Sequence, residues 1–115
     1  MTNIYDTVNQ LAKEFRELPE YVNLKNSIAK VNENKDSSEL YNQFRELSHD
    51  YQTRMMQGQE VSEEEMKSFQ TLADKVQQDE LIQEVMKNEQ LVSQILADVN
   101  NIITKPLQDI YETKE

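Results

Sequence analysis

Only three residues in this chain of 115 interrupt a helix through backbone chemistry alone: Pro19, Gly58 and Pro106. Glycine and proline punctuate most turns, so such sparse punctuation leaves few places for tight hairpins and assigns nearly every residue to helices. The length suffices for one compact domain and not for two. The expected fold is all-α, a helical bundle of about five or six antiparallel helices with a long C-terminal helical region, forming a single domain over residues 1–115.

Apolar residues recur at steps of three and four. Ile4, Val8, Leu11, Phe15 and Leu18 form a narrow stripe on a first helix over about residues 3–17, with Asn3 as N-cap. Pro19 has no N–H to donate, which is tolerated in a first helical turn and not in an interior, so it ends this helix and opens a second over 19–33. Tyr21, Leu24, Ile28 and Val31 make the stripe of that second helix. Asp36 followed by Glu39 fits a capping box for a third helix over 37–57, striped by Leu40, Phe44, Leu47 and Tyr51 and ended by Gly58 in a left-handed cap. Ser62 with Glu65 makes a cleaner capping box for a helix over 63–77. Its buried face is read as Met66, Phe69, Ala73 and Val76, and Glu63, Glu64 and Glu65 as partners of the helix dipole.

From Asp79 the apolar pattern widens to adjacent pairs, Leu81–Ile82, Val85–Met86, Ile95–Leu96 and Ile102–Ile103, as on a helix covered by more than one neighbour. Asn88 and Glu89 interrupt this stripe, so residues 79–104 form one helix with a polar step or two helices broken near 88. Pro106 predicts a kink or restart near Thr104 and a short last helix after 105, with the terminal segment Tyr-Glu-Thr-Lys-Glu fraying. The string Phe-Arg-Glu-Leu occurs at 15–18 and at 44–47. Duplication is the sharper reading, but Pro19 stands opposite Ser48 and the flanks agree poorly, so shared helical periodicity accounts for the match.

Chemistry is sparse. There is no cysteine, one histidine, no Gly-x-Ser-x-Gly turn and no glycine-rich phosphate loop, which removes the usual nucleophiles, thiolate metal sites and nucleotide cradles. Glu46 and His49 match the Glu-x-x-His step of di-metal carboxylate bundles, but such sites need a second copy, which only a symmetric dimer would supply. A formal charge of −10 spread along the chain repels phosphate backbones and anionic lipid, so no direct nucleic-acid binding and no membrane insertion are expected. No apolar run approaches the ~20 residues of a membrane span, and no segment reads as a secretory signal. The absence of cysteine fits a reducing compartment, so the expected location is cytoplasmic.

The expectation is thus a non-enzymatic interaction or scaffold protein with no cofactor, a homo-oligomer (dimer or higher) that also has room for another protein as partner. The candidate core or partner-facing residues are Leu11, Phe15, Leu40, Phe44, Leu47, Tyr51, Ile95 and Val99. The stripes of the first and third helices are as narrow as coiled-coil seams. Met55 and Met56 are read first as gap-filling core residues and second as an adaptable contact surface, and the five tyrosines as interface anchors or half-buried residues with wet hydroxyls.

The segments "NIYD", "LAKEFRELPEYVNLKNSIAKV", "FRELSHDYQ" and "NEQLVSQILADVNNIITKPLQDIY" resemble the YlbF/YmcA-like family of small helical bacterial proteins, in particular its YheA-type branch. The resemblance covers nearly the whole chain, and the "LPEY" turn and "NEQLVSQILADV" carry most of its specificity. It implies an all-α, self-associating cytoplasmic protein of Gram-positive bacteria. Better-studied members of the family act as non-catalytic subunits of a complex that guides messenger-RNA processing by a membrane-bound endoribonuclease. Those members carry cysteines associated with an iron–sulfur cluster, and no residue here matches them. A regulatory adaptor of RNA processing is the alternative reading, and a small di-metal carboxylate protein built on Glu46 and His49 a second.

Overall fold

In a computed structural model, residues 3–112 are described, and they form five helices with no strand among them. These are α1 (Ile4–Arg16), α2 (Pro19–Glu33), α3 (Lys35–Met56), α4 (Glu63–Gln78) and α5 (Glu80–Glu112). The chain divides into two compact units, one from the described parts of Met1–Leu24 and Lys87–Glu115, the other from Lys25–Met86.

The turns follow from local chemistry. Asn3 caps α1 by accepting the Tyr5 N–H at 2.9 Å. Pro19 opens α2, where its missing N–H costs nothing, and the first bond into the helix is from Val22 N to Leu18 O at 3.0 Å. α3 starts two residues earlier than the Asp36 box predicts. Asn34 is the cap, its side-chain oxygen accepting the Ser37 N–H at 3.0 Å, and Asp36 lies within the first turn, where its charge still suits the dipole.

The unit Lys25–Met86 holds the α3–α4 hairpin. α3 ends in a Schellman motif, with Gly58 at φ 76°, its N–H donating to Met55 O at 3.2 Å and the Gln59 N–H to Arg54 O at 2.7 Å. Ser62 and Glu65 form both halves of the capping box, each bond 3.1 Å. Along the hairpin Arg54 meets Glu65, Tyr51 meets Phe69 and Ser37 meets Asp79, so the helices run antiparallel. Val31, Tyr41, Val76, Ile82 and Val85 are the buried apolar residues of this unit. Asp79 closes α4 and opens α5: Oδ1 accepts the Leu81 and Ile82 N–H groups at 3.0 and 3.1 Å, and Oδ2 accepts the Ser37 hydroxyl at 2.6 Å.

α5 is one helix, the first of the two alternatives open near residue 88, and it also runs through the kink or restart expected near Thr104. Asn88 is buried, not a breaker, and its Nδ2 donates to the Asn23 carbonyl at 3.3 Å, which gives the polar step on the seam a partner. Pro106 sits inside the helix with no restart at Thr104 and no separate short helix after 105. Residues 102 and 103 are exposed, so the carbonyl that loses its donor faces water, and the Lys105–Asp109 ion pair at 2.6 Å braces the turn containing the proline. Helix continues to Glu112, while residues 113–115 of the segment expected to fray lie outside the described residues.

Candidate functional site

Three chemical elements converge at the turn end of the hairpin. Arg54, in the last turn of α3, donates from Nη1 to Glu65 Oε2 at 2.7 Å and from Nη2 to Glu65 Oε1 at 3.2 Å. Nη2 also reaches the Glu60 carbonyl at 2.8 Å, and Asp50 stands 3.7 Å from Nη1. A single guanidinium therefore joins α3, the connecting loop and the first turn of α4 in the fork geometry that suits a carboxylate. Bonding from Arg54 first, then from the Ser62 N–H, holds the Glu65 carboxyl down to about 2 from its ordinary 4.5. Glu65 in turn raises the Arg54 guanidinium, so both charges persist at neutral pH.

Beside this clip lies an open, mainly apolar groove of about 980 Å³. Tyr51 and Phe69 line it, together with Met55, Met56, Val61 and Met66. Phe69 ties the helices together, stacked on Phe44 (centroids 5.4 Å apart, planes at 17°) and tilted against Tyr51 (5.4 Å, 56°). Tyr51 donates its hydroxyl to Glu65 O at 3.3 Å, and the Arg54 guanidinium lies 5.7 Å from the centre of its ring. The core reading of the paired methionines does not hold, since Met55 is 72 % and Met56 82 % exposed. Met66, expected on the buried face of α4, is exposed as well. The reason is positional: these residues flank the turn at the end of the hairpin, away from its buried residues Tyr41 and Val76.

The structure divides the candidate residues between the two units. Leu40, Phe44, Leu47 and Tyr51 lie half-buried on α3, and Phe69 brings Phe44 and Tyr51 together. In the other unit Phe15 meets Tyr21 edge-on at 5.5 Å, and Ile95 and Val99 are half-buried on α5. Leu11 is exposed, in line with Ile4 and Val8 at 45 %, 61 % and 50 % respectively. α1 has a strongly one-sided apolar stripe and yet no buried residue. The broad cover expected along α5 also stops short, because Leu96, Ile102, Ile103, Leu107 and Ile110 face solvent. Periodicity found these stripes but not their exposure, which depends on what lies opposite.

Glu46 and His49 are both exposed, and no group of three or more metal-ligating side chains occurs among the described residues. Among the same residues no helix is long and apolar enough to cross a membrane. Fold and surface together define a small all-α protein whose distinctive features are uncovered apolar helix faces.

The chain belongs to the YlbF/YmcA family: the family model described as "Control of competence regulator ComK, YlbF/YmcA" matches residues 4–108. A UPF0342 protein of Staphylococcus saprophyticus is 44 % identical over 109 residues, spanning 95 % of this chain and 96 % of that one. A UPF0342 protein of Pediococcus pentosaceus is 37 % identical over 110 residues, spanning 96 % of each. Among solved structures, yheA from Bacillus subtilis aligns with a TM-score of 0.74 at 27 % identity over 96 % of this chain and all (100 %) of that one. A protein of unknown function (DUF964) from Bacillus stearothermophilus aligns with a TM-score of 0.84 over 97 % and 98 % of the two chains, and at 21 % identity this likeness concerns the fold. The relatives place the chain in the YheA-type branch of the family.

Proposed function

We propose that this protein is a non-enzymatic, cytoplasmic interaction module that works by self-association through its uncovered apolar helix faces. The observation that carries the reading is α1, whose stripe Ile4, Val8, Leu11 is in register along one face while none of its residues is buried. An amphipathic helix of this kind gains its stability from a surface that covers the stripe. A second copy is the simplest cover, because the C-terminal part of α5 exposes an apolar stripe of its own and each copy would bring both.

The test is the solution mass of untagged protein by light scattering across a range of concentrations, beside Val8→Asp and Leu11→Asp. Wild type is expected to give a defined oligomer, and both variants a monomer whose loss of helix does not exceed the thirteen residues of α1. A monomeric wild type, or variants with the wild-type mass, would overturn the reading. Membership of a family described by control of a competence regulator supports a second, regulatory reading, which we propose, from the family resemblance, as the assembled protein serving as an adaptor for RNA processing. Its check is whether disrupting assembly by Leu11→Asp alters transcript cleavage patterns in cells.

A further inference from the structure

The groove at the α3–α4 turn has a chemistry distinct from that of the α1 and α5 stripes. Its walls carry three thioethers, Met55, Met56 and Met66, over an aromatic floor of Tyr51 and Phe69. Methionine is unbranched and polarizable, so such a wall moulds itself to apolar side chains of different shape. None of the three is needed to fill the interior of the hairpin, since all are exposed.

The surrounding charge is one-sided. Among the described residues Glu60 is the one charged side chain in the lining, Glu63 and Glu64 stand exposed in the adjoining first turn of α4, and one guanidinium lies beside the groove. That guanidinium, Arg54, is already engaged by Glu65, the Glu60 carbonyl and Asp50. An apolar trough rimmed by negative potential selects an apolar ligand flanked by positive charge. The chain's own uncovered stripes do not fit this description. α1 balances Asp6 and Glu14 with Lys13 and Arg16, and the last part of α5 sets Lys105 against Asp109 and Glu112.

We propose that the groove receives a segment of a different protein, an amphipathic helix with large apolar side chains at three-and-four spacing and lysine or arginine on its flanks. The segment lays its apolar side chains onto the methionines, and its cations face the carboxylates of the rim. This surface lies on the α3–α4 hairpin and does not depend on the self-association proposed for α1.

The test titrates full-length protein with two labelled synthetic helical peptides that share one leucine stripe and carry either lysines or glutamates elsewhere. The lysine peptide is expected to bind on the order of 10-fold more tightly or better, and to weaken with added salt. Methyl resonances of Met55, Met56 and Met66 should shift in the complex while that of the half-buried Met86 stays in place. The double substitution Met55→Gln/Met56→Gln should weaken binding by on the order of 10-fold, and Leu11→Asp should leave it unchanged. Equal affinity for the two peptides, no binding of the lysine peptide, or shifts confined to residues outside the hairpin would overturn the proposal. Displacement of the lysine peptide by a peptide of residues 100–112 would also overturn it and give the groove to a second copy.

Discussion

Arg54 and Glu65, eleven residues apart across the only glycine of the chain, are joined by two hydrogen bonds of 2.7 and 3.2 Å. The same carboxylate oxygen that accepts Arg54 Nη2 accepts the Ser62 N–H, so one acid closes a helix cap and an inter-helix clip together. This coupling makes the hairpin sensitive to the protonation of a single side chain.

Because Glu65 is held near 2 in the folded protein against an ordinary 4.5, its contribution is complete above about 4.5 and fades as pH falls toward 2. Urea unfolding followed from pH 6 to pH 2 should therefore lose stability through that interval, as a rough window set by the two values. Glu65→Gln should be less stable than wild type at neutral pH and converge on it in acid. Parallel pH profiles for the two proteins would show that the clip contributes nothing.

Phe69→Ala removes the ring that meets both Phe44 and Tyr51. The site is half-buried, so the cost should be about 2 to 3 kcal/mol, below the range of a fully buried phenylalanine. Denaturant midpoints check the value, and Phe44→Asp should act through the same stack.

Asp79 serves two α5 N–H groups and the Ser37 hydroxyl, whereas Ser37 contributes one hydroxyl to Asp79. Asp79→Ala should cost about 2 kcal/mol, the loss of a cap plus a stranded hydroxyl, and Ser37→Ala about 1. A double-mutant cycle should return a coupling energy of at least ~0.5 kcal/mol, as for residues in contact.

Gly58→Ala separates sterics from backbone conformation. A Cβ at this position meets nothing within 4 Å, but φ is +76°. The expected loss of about 1 kcal/mol is therefore entirely a left-handed backbone penalty, and Gly58→Asn should recover part of it. Calorimetric midpoints of the three proteins give the ranking.

Local signals were legible in the residues themselves. Ser62 with Glu65, Pro19 at a helix start and Gly58 past a helix end each act within a few residues, so their reading needs no tertiary partner. Asn34 was missed because Asp36 offers a competing cap two residues on, and the earlier start wins. Asn88 and Pro106 look like breakers in isolation, yet a carbonyl at Asn23 supplies a partner for the first and solvent relieves the second. The groove was hidden for a similar reason: a methionine at helical spacing has the same sequence signature whether covered or not. The clip escaped notice because Arg54 and Glu65 meet only once the turn is built.

A helix of thirteen residues with no buried side chain is marginal in water on its own hydrogen bonds. If copies of the chain cover one another there, mass action ties the helix to protein concentration, and dilution unwinds it before anything else. The first helix would then act as a gauge of abundance, ordered in a cell that makes much of the protein and loose in one that makes little.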